Sequence, residues 1–129
     1  MNTKPRMIGH ADFHILLSLL DAERHGYGII KEVQQMTDGT FTLGPGTLYG
    51  SIRRLTAAGL IAESAIRPAE EKDDERRRCY YRLTTDGRHA TETECQRVDN
   101  LMRVVGQKNE RVPLAADGVP LAAERGMES

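Results

Sequence analysis

The segment from Gly44 to Leu60 constrains this chain most, because it contains a complete helix with its own start and stop signals. Pro45 suits the first position of a helix, where its missing N–H would have no partner. Gly59 suits the left-handed residue that ends many helices, and Leu60 is placed to fold back on the last turn. The segment therefore predicts a helix over residues 44–58.

This predicted helix has two different faces. Leu48, Ile52 and Leu55 follow the i, i+4, i+7 spacing of a narrow stripe that packs on a core. The other positions are small, hydroxyl-bearing or basic: Gly46, Thr47, Tyr49, Ser51, Arg53 and Arg54. Hydroxyl and guanidinium groups without a carboxylate suit contacts with phosphates and base edges. The alternative is an ordinary amphipathic helix whose polar face is merely solvated.

The charge distribution singles out the same helix. The formal net charge of the chain is −1, which excludes a protein that is basic overall, so any electrostatic footprint for nucleic acid must be local. Residues 45–58 carry two arginines and no acid, a charge of +2. Residues 1–44 carry four basic and five acidic residues, residues 63–82 six of each, and residues 84–108 four of each. The predicted helix is therefore a local basic element in a neutral to acidic chain.

The segments around it give an order of elements. Residues 10–22 predict a first helix with Asp12 as a possible N-cap, and a second helix runs from the break at residues 25–28 to about residue 36. The first helix is apolar almost all round, which predicts cover from a partner chain. Its main stripe is Phe13, Leu16, Leu17 and Leu20, widened by Ile15 and Leu19.

Two strands are predicted after the basic helix, at residues 60–66 and 78–83, with Cys79, Tyr81 and Leu83 on one face of the second. A charged loop over residues 67–77 joins them. Three helices followed by a strand, a loop and a strand predict a winged helix-turn-helix, a mainly α fold with a small β-hairpin. The loop is the wing.

A last helix is predicted from about Asp86 to residue 108, with Thr84 or Thr85 as its cap. Its apolar residues are sparse and recur about every 3.5 positions, as in a coiled-coil seam. They are Ala90, Val98, Leu101, Met102 and Val105. We interpret it as a dimerisation helix; the alternative is a frayed terminal helix. The chain therefore divides into a winged helix-turn-helix domain (1–83), a dimerisation helix (84–108) and a flexible tail (109–129).

Other classes of function find little support. No nucleophile–base arrangement, phosphate-binding glycine loop or pair of buried carboxylates is apparent, so we expect neither an enzyme nor a cofactor. His10 and His14 are four residues apart, but no compact Cys/His cluster accompanies them, so no metal site is predicted. Two cysteines are too few for a disulfide framework, and the longest apolar run, residues 15–20, is too short to span a bilayer. We expect a cytoplasmic protein with reduced thiols and no membrane partner.

Three motifs resemble the PadR family of transcriptional regulators. They are H-G-Y-x-I at residues 25–29, G-T-L-Y-x-x-I-x-R-L-x-x-x-G-L-I at residues 46–61, and R-x-Y-Y-x-L-T-x-x-G at residues 78–87. In that family they mark the second helix, the recognition helix, and the second wing strand with the entry to the dimer helix. The resemblance covers about residues 10–108 and implies a homodimeric winged-helix repressor. The short terminal region resembles the shorter branch of the family, and a wing loop this long and acidic departs from it.

The resemblance also implies roles for particular residues. Residues 45–49 would enter the major groove of double-stranded DNA, where Thr47, Ser51 and Tyr49 would donate hydrogen bonds. Arg53 or Arg54 would supply positive charge. The wing would reach the DNA backbone or the minor groove through Arg76, Arg77 and Arg78. Arg54 packing within the protein, and wing arginines paired with Asp73, Asp74 and Glu75, are the alternatives.

The terminal helices of such a dimer would pack on the first helices of their partners. The cleft between the two terminal helices could take a small, flat apolar or aromatic effector. It would be lined by Phe13, Leu17, Val98, Leu101, Met102 and Val105. We therefore expect a sequence-specific, ligand-responsive repressor on a palindromic operator. The alternative function is a winged helix that binds other proteins and not DNA, which salt-dependent affinity for duplex DNA would distinguish.

Overall fold

The computed structural model describes residues 8–64, 79–113 and 118. Four helices and three short strands follow one another as α1 (His10–Ser18), β1 (Arg24–His25), α2 (Gly26–Met36), α3 (Pro45–Ala57), β2 (Ile61–Glu63), β3 (Tyr80–Leu83) and α4 (Thr85–Arg111). The strands form one antiparallel sheet in the order β1-β3-β2. The predicted winged-helix fold is confirmed. None of the helices in the described ranges has the length and apolar character needed to cross a membrane.

The core lies where α1, α2 and α3 meet the sheet. Its buried apolar residues are Ile15, Leu16, Leu19, Ile29, Val33, Leu43, Leu48, Ile52, Leu55, Ile61 and Tyr81. The three residues of the predicted stripe of α3 are among them, none more than 6% exposed. The basic face of α3 therefore points away from the core.

Helix α1 is shorter than predicted. It ends at Ser18 rather than residue 22, and its N-cap is Gly9, so Asp12 lies in the first turn. The last turn tightens because the N–H of Leu19 donates to the carbonyl of Leu16 (3.1 Å). The Ser18 hydroxyl donates to the Ile15 carbonyl (2.7 Å), a local bond that favours the end of a helix.

The inward stripe of α1 also differs from the predicted one. Ile15, Leu16 and Leu19 are buried in the core of their own chain, whereas Phe13 and Leu17 are only half-buried. Leu16, part of the stripe for which cover from a partner chain was predicted, is therefore not available to a partner, because its side chain is fully enclosed within its own chain.

Strand β1 is an element that the sequence analysis missed. Arg24 pairs with Tyr81, and His25 with Tyr80. Arg24 also closes the turn before the strand: its Nε donates to the Ser18 carbonyl (2.8 Å), and its guanidinium pairs with Asp21 (3.0 Å). Two residues show no alternation of apolar and polar side chains, so no sequence pattern marked them as a strand.

The end of α3 is joined to the start of α4 by a continuous set of hydrogen bonds. Gly59 has a φ of 80°, and the Leu60 N–H donates to the Leu55 carbonyl (2.9 Å), which completes the predicted helix stop. The Thr84 hydroxyl donates to the Gly59 carbonyl (2.6 Å) and accepts the Gly87 N–H (2.9 Å). Thr84 is thus the cap of α4, one of the two residues predicted for that role.

Helix α4 has 27 residues, a length of about 40 Å at 1.5 Å per residue. It continues to Arg111, past the predicted end at residue 108. The start of α4, up to Glu94, belongs to one compact unit with the preceding helices and strands, and its remainder belongs to a second unit. Most of the predicted tail lies outside the described residues.

The pKa of Tyr81, a buried residue of β3, provides a test of the packing around the sheet. Burial raises the pKa of its hydroxyl to about 12, with smaller contributions from Cys79, Tyr49 and Glu63. The pKa of an unfolded tyrosine is about 10, so the folded state holds this proton more tightly. Its contribution to stability is complete below pH 10 and is lost as the pH rises from 10 to 12.

We therefore expect Tyr81→Phe to remove part of the alkaline loss of stability. Urea denaturation at pH 9 to 12 should show a smaller fall in unfolding free energy for the variant, by roughly 1–2 kcal/mol. Tyr27→Phe, a substitution at a tyrosine that is 65% exposed, is the matched control. Identical pH profiles for wild type and Tyr81→Phe would contradict this account of Tyr81.

Candidate nucleic-acid interface

The outer face of α3 is an exposed surface without acidic residues. Thr47, Tyr49, Arg53 and Arg54 are exposed, as are Pro45 and Gly46 at the start of the helix. Gly44, the N-cap, has no side chain to occupy the first N–H groups of the helix. Those N–H groups and the positive end of the helix dipole suit a phosphate. Geometry and charge are therefore those of a surface for an anionic polymer.

Contact between α2 and α3 holds Tyr49 in place. A Cβ atom on Gly26 would collide with the Tyr49 hydroxyl and press against Leu48. A larger residue at that position would therefore displace the Tyr49 ring from its place between α2 and α3. The preceding residue, His25, caps α2 because its Nδ1 accepts the Gly28 N–H (3.0 Å). The His-Gly pair thus starts α2 and brings its first turn into contact with Tyr49 of α3.

Ser51 does not belong to the outer face. Its side chain is fully buried, and its hydroxyl accepts a hydrogen bond from the Arg54 guanidinium (3.0 Å). Since it lies three residues after Leu48 and four before Leu55, helical spacing alone places it on the core stripe. The structure therefore removes Ser51 from the predicted DNA-contacting set.

The two arginines of α3 differ in their surroundings. The Arg54 guanidinium binds the Asp12 carboxylate of α1 (3.1 Å) as well as Ser51, although its side chain is 64% exposed. This is the packing alternative left open for Arg54. Arg53 is exposed and pairs with no acidic group within residues 8–64 and 79–113. Arg53 is therefore the better candidate for a phosphate.

Arg76 and Arg77, the predicted wing contacts, lie outside the described residues, as do Arg78 and its acidic neighbours. The base of the wing is described: Ala62 pairs with Arg82, and Glu63 with Tyr81.

The residues predicted for a dimer cleft leave apolar surface exposed on α1 and α4. Phe13, Leu17 and Val98 are half-buried. Leu101, Met102 and Val105 are 51%, 67% and 56% exposed, and Val104, which was not predicted, is 41% exposed. Several large exposed apolar side chains on one short stretch of helix are typical of an interaction surface.

His10 and His14 take part in an aromatic cluster. Their rings are 4.4 Å apart between centroids, and each packs against Phe41, at 4.7 and 4.6 Å. Over the described ranges, no group of three or more residues has the composition and proximity of a metal site.

Comparison with known proteins identifies the family. The model of the transcriptional regulator PadR-like family matches residues 15–93. A transcriptional regulator of Mycobacterium tuberculosis is 33% identical over 92 residues, which cover 71% of this chain and 78% of that protein. An uncharacterised transposon protein of Streptomyces fradiae is 37% identical over 91 residues, which cover 70% of this chain but only 24% of the longer protein.

Solved structures agree. A PadR family transcription regulator from Clostridium difficile has a TM-score of 0.63 at 29% identity, with 77% of this chain and 97% of that chain covered. Bacillus subtilis PadR in complex with operator DNA shares the fold, with a TM-score of 0.55 at 19% identity over 66% of this chain and 46% of that chain. The family and the fold are those of transcription regulators and not of enzymes, and the chain belongs to the PadR-like family of transcriptional regulators.

Proposed function

We propose that this protein is a homodimeric, ligand-responsive repressor that places α3 in the major groove of a palindromic operator. The observation that carries the proposal is the outer face of α3, which presents Thr47, Tyr49 and Arg53 without an acidic residue. The similarity of fold to a protein solved with operator DNA supports this use of the surface.

The side chains of α3 divide between reading bases and binding phosphates. Gly46 and Thr47 lie at the end of the helix that enters the groove in helix-turn-helix proteins, where a small residue and a hydroxyl allow close approach to base edges. The Tyr49 hydroxyl and the Arg53 guanidinium bind phosphates. Arg54 fixes α3 to α1 through Asp12, and Arg76 and Arg77 of the wing add contacts with the backbone.

Dimerisation places two recognition helices on one duplex. The exposed apolar residues of α4, Leu101, Met102 and Val105, pack with Val98 against the partner's α1 through Phe13 and Leu17. This arrangement covers the surface that α1 and α4 leave exposed. Two-fold symmetry then requires two half-sites about one helical turn, or roughly 10 base pairs, apart.

Footprinting of the DNA upstream of the coding region tests this proposal. The full chain should protect two symmetric half-sites on opposite strands, with an affinity that falls steeply with salt. The alternative, a winged helix that binds proteins and not DNA, predicts no protected site and no salt-dependent affinity for any duplex. That result would overturn the proposal.

The cleft between the two α4 helices is the proposed effector site, because one ligand there touches both protomers. A ligand acts only through different affinities for the two spacings of the recognition helices, and a coupling of about 1–3 kcal/mol would relieve binding roughly 5- to 150-fold. In a Met102→Trp variant, an aromatic compound that releases DNA should change the indole fluorescence. Release of DNA without a fluorescence change would place the effector elsewhere.

A further inference from the structure

The first two turns of α2 carry an exposed aromatic and cationic pair that the sequence analysis did not identify. The Tyr27 side chain is 65% exposed, and the Lys31 ammonium lies 5.7 Å from the centre of its ring. The hydroxyl of Tyr27 has no hydrogen-bond partner in the described part of the chain. The pair therefore presents a hydroxyl donor and a positive charge side by side.

Contacts at the base of the sheet hold Tyr27 in position. The His25 ring stacks on the Tyr27 ring, with centroids 6.5 Å apart and planes 12° from parallel. His25 is itself fixed, since its Nδ1 accepts the Gly28 N–H and its ring packs edge-on against Tyr80 of β3 at 5.2 Å. The exposed phenol is thus oriented by the same residue that caps α2.

The acidic residues near the pair that the structure describes do not bind Lys31. The first turn of α2 contains no acidic residue. Glu32, the neighbour of Lys31 in sequence, pairs with Arg24 (3.5 Å). Lys31 itself forms no ion pair within residues 8–64 and 79–113. An anion at this surface would meet a cation that no acidic group of the described residues neutralises.

The residue before this pair also contacts a side chain of the proposed DNA-binding face. Gly26, the residue before Tyr27, packs against the Tyr49 hydroxyl and ring. The outer face of α3 and the start of α2 therefore meet at this contact. In helix-turn-helix proteins, the helix before the recognition helix crosses the DNA backbone at the edge of the groove.

We propose that Tyr27 and Lys31 form a phosphate clamp that binds the backbone of the duplex whose major groove α3 enters. The Tyr27 hydroxyl donates to a phosphate oxygen, and Lys31 adds a charge-assisted hydrogen bond. This inference rests on the proposed function. Because phosphates carry no sequence information, the clamp fixes the position of the protein and contributes equally to all duplexes.

Salt-dependent binding of the full chain to a 30-base-pair duplex of arbitrary sequence tests the clamp. Lys31→Met should flatten the slope of log affinity against log salt by about one for each bound protomer. Lys31→Arg should restore the slope. Tyr27→Phe should weaken binding about 3- to 10-fold at one salt concentration and leave the slope unchanged, because it removes only a neutral donor.

Lys108→Met is the matched control, since it removes the same charge from the last turn of α4 and should leave the slope unchanged. Thermal denaturation of each variant checks that it is folded. A wild-type protein without salt-dependent affinity would overturn the proposed function and the clamp together. If wild type binds the duplex and Lys31→Met binds it with the same slope of log affinity against log salt, the clamp alone is overturned.

Discussion

Replacement of Gly87 by alanine is expected to lower the free energy of unfolding by about 3 kcal/mol, at the upper end of the cost of overpacking. A Cβ atom at this position would collide with the carbonyl group of Leu60. That carbonyl has no freedom to move, because it accepts the Thr84 N–H (3.1 Å) and follows the stop of α3. The start of α4 must shift instead, which breaks the Thr84 cap. Thermal denaturation should show a midpoint lower by roughly 10 °C or more.

Gly106→Ala is the control for this prediction. Gly106 lies in the same helix, and a Cβ atom there would meet nothing within 4 Å. Alanine should therefore stabilise the helix by up to about 1 kcal/mol. Equal midpoints for Gly87→Ala and Gly106→Ala would show that the contact between α4 and Leu60 does not constrain the fold.

Glutamate at both Leu101 and Val105 is expected to convert the proposed dimer into a monomer. Both side chains are more than half exposed, so the substitutions leave the fold of one chain intact. In a dimer they bury four carboxylates without partners, each at a cost of several kcal/mol. We expect the dimer dissociation constant to rise more than about 100-fold and operator affinity to fall by a similar factor. Sedimentation velocity measures the first, and a binding titration the second.

Gln96→Glu with Gln107→Glu adds the same charge on the opposite face of α4 and should leave the dimer intact. Truncation after about residue 95 removes the apolar residues altogether and should also give a monomer. A tight dimer formed by the Leu101/Val105 variant or by the truncated chain would place the interface outside α4.

Local signals in the sequence predict most of the fold. Helix α3 has its start at Pro45, its stop at Gly59 and an apolar stripe within one segment, so its bounds follow from short-range physics. Thr84 likewise marks the start of α4. These features depend on hydrogen bonds between residues that are a few positions apart, which a pattern of residue types records.

Features that depend on distant contacts were missed or misassigned. The pair of Arg54 with Asp12 joins residues 42 positions apart, so nothing near Arg54 in the sequence identifies Asp12 as the partner of its guanidinium. The side of α1 that faces the core depends on where α2 and α3 pack, because α1 is apolar all round. Ser51 is different: the spacing already placed it on the core stripe, but its hydroxyl suggested a surface role.

The candidate site divides in the same way. Exposed residues of α3 such as Thr47 and Arg53 were predicted because their polarity and position agree. Tyr27 and Lys31 were not predicted, because a tyrosine four positions before a lysine does not by itself indicate a binding site. Their relevance appears only when Gly26 is seen to pack against Tyr49.

The salt dependence of operator binding by Arg53→Met and Arg54→Met tests the central claim most directly. If α3 binds DNA through its outer face, Arg53→Met flattens the slope of log affinity against log salt by about one per bound protomer. Arg54→Met changes it less, because Asp12 already binds that guanidinium. A double variant that combines Arg53→Met with Arg54→Met removes both charges. An unchanged slope of log affinity against log salt in this double variant would contradict the assignment of α3 as the recognition helix.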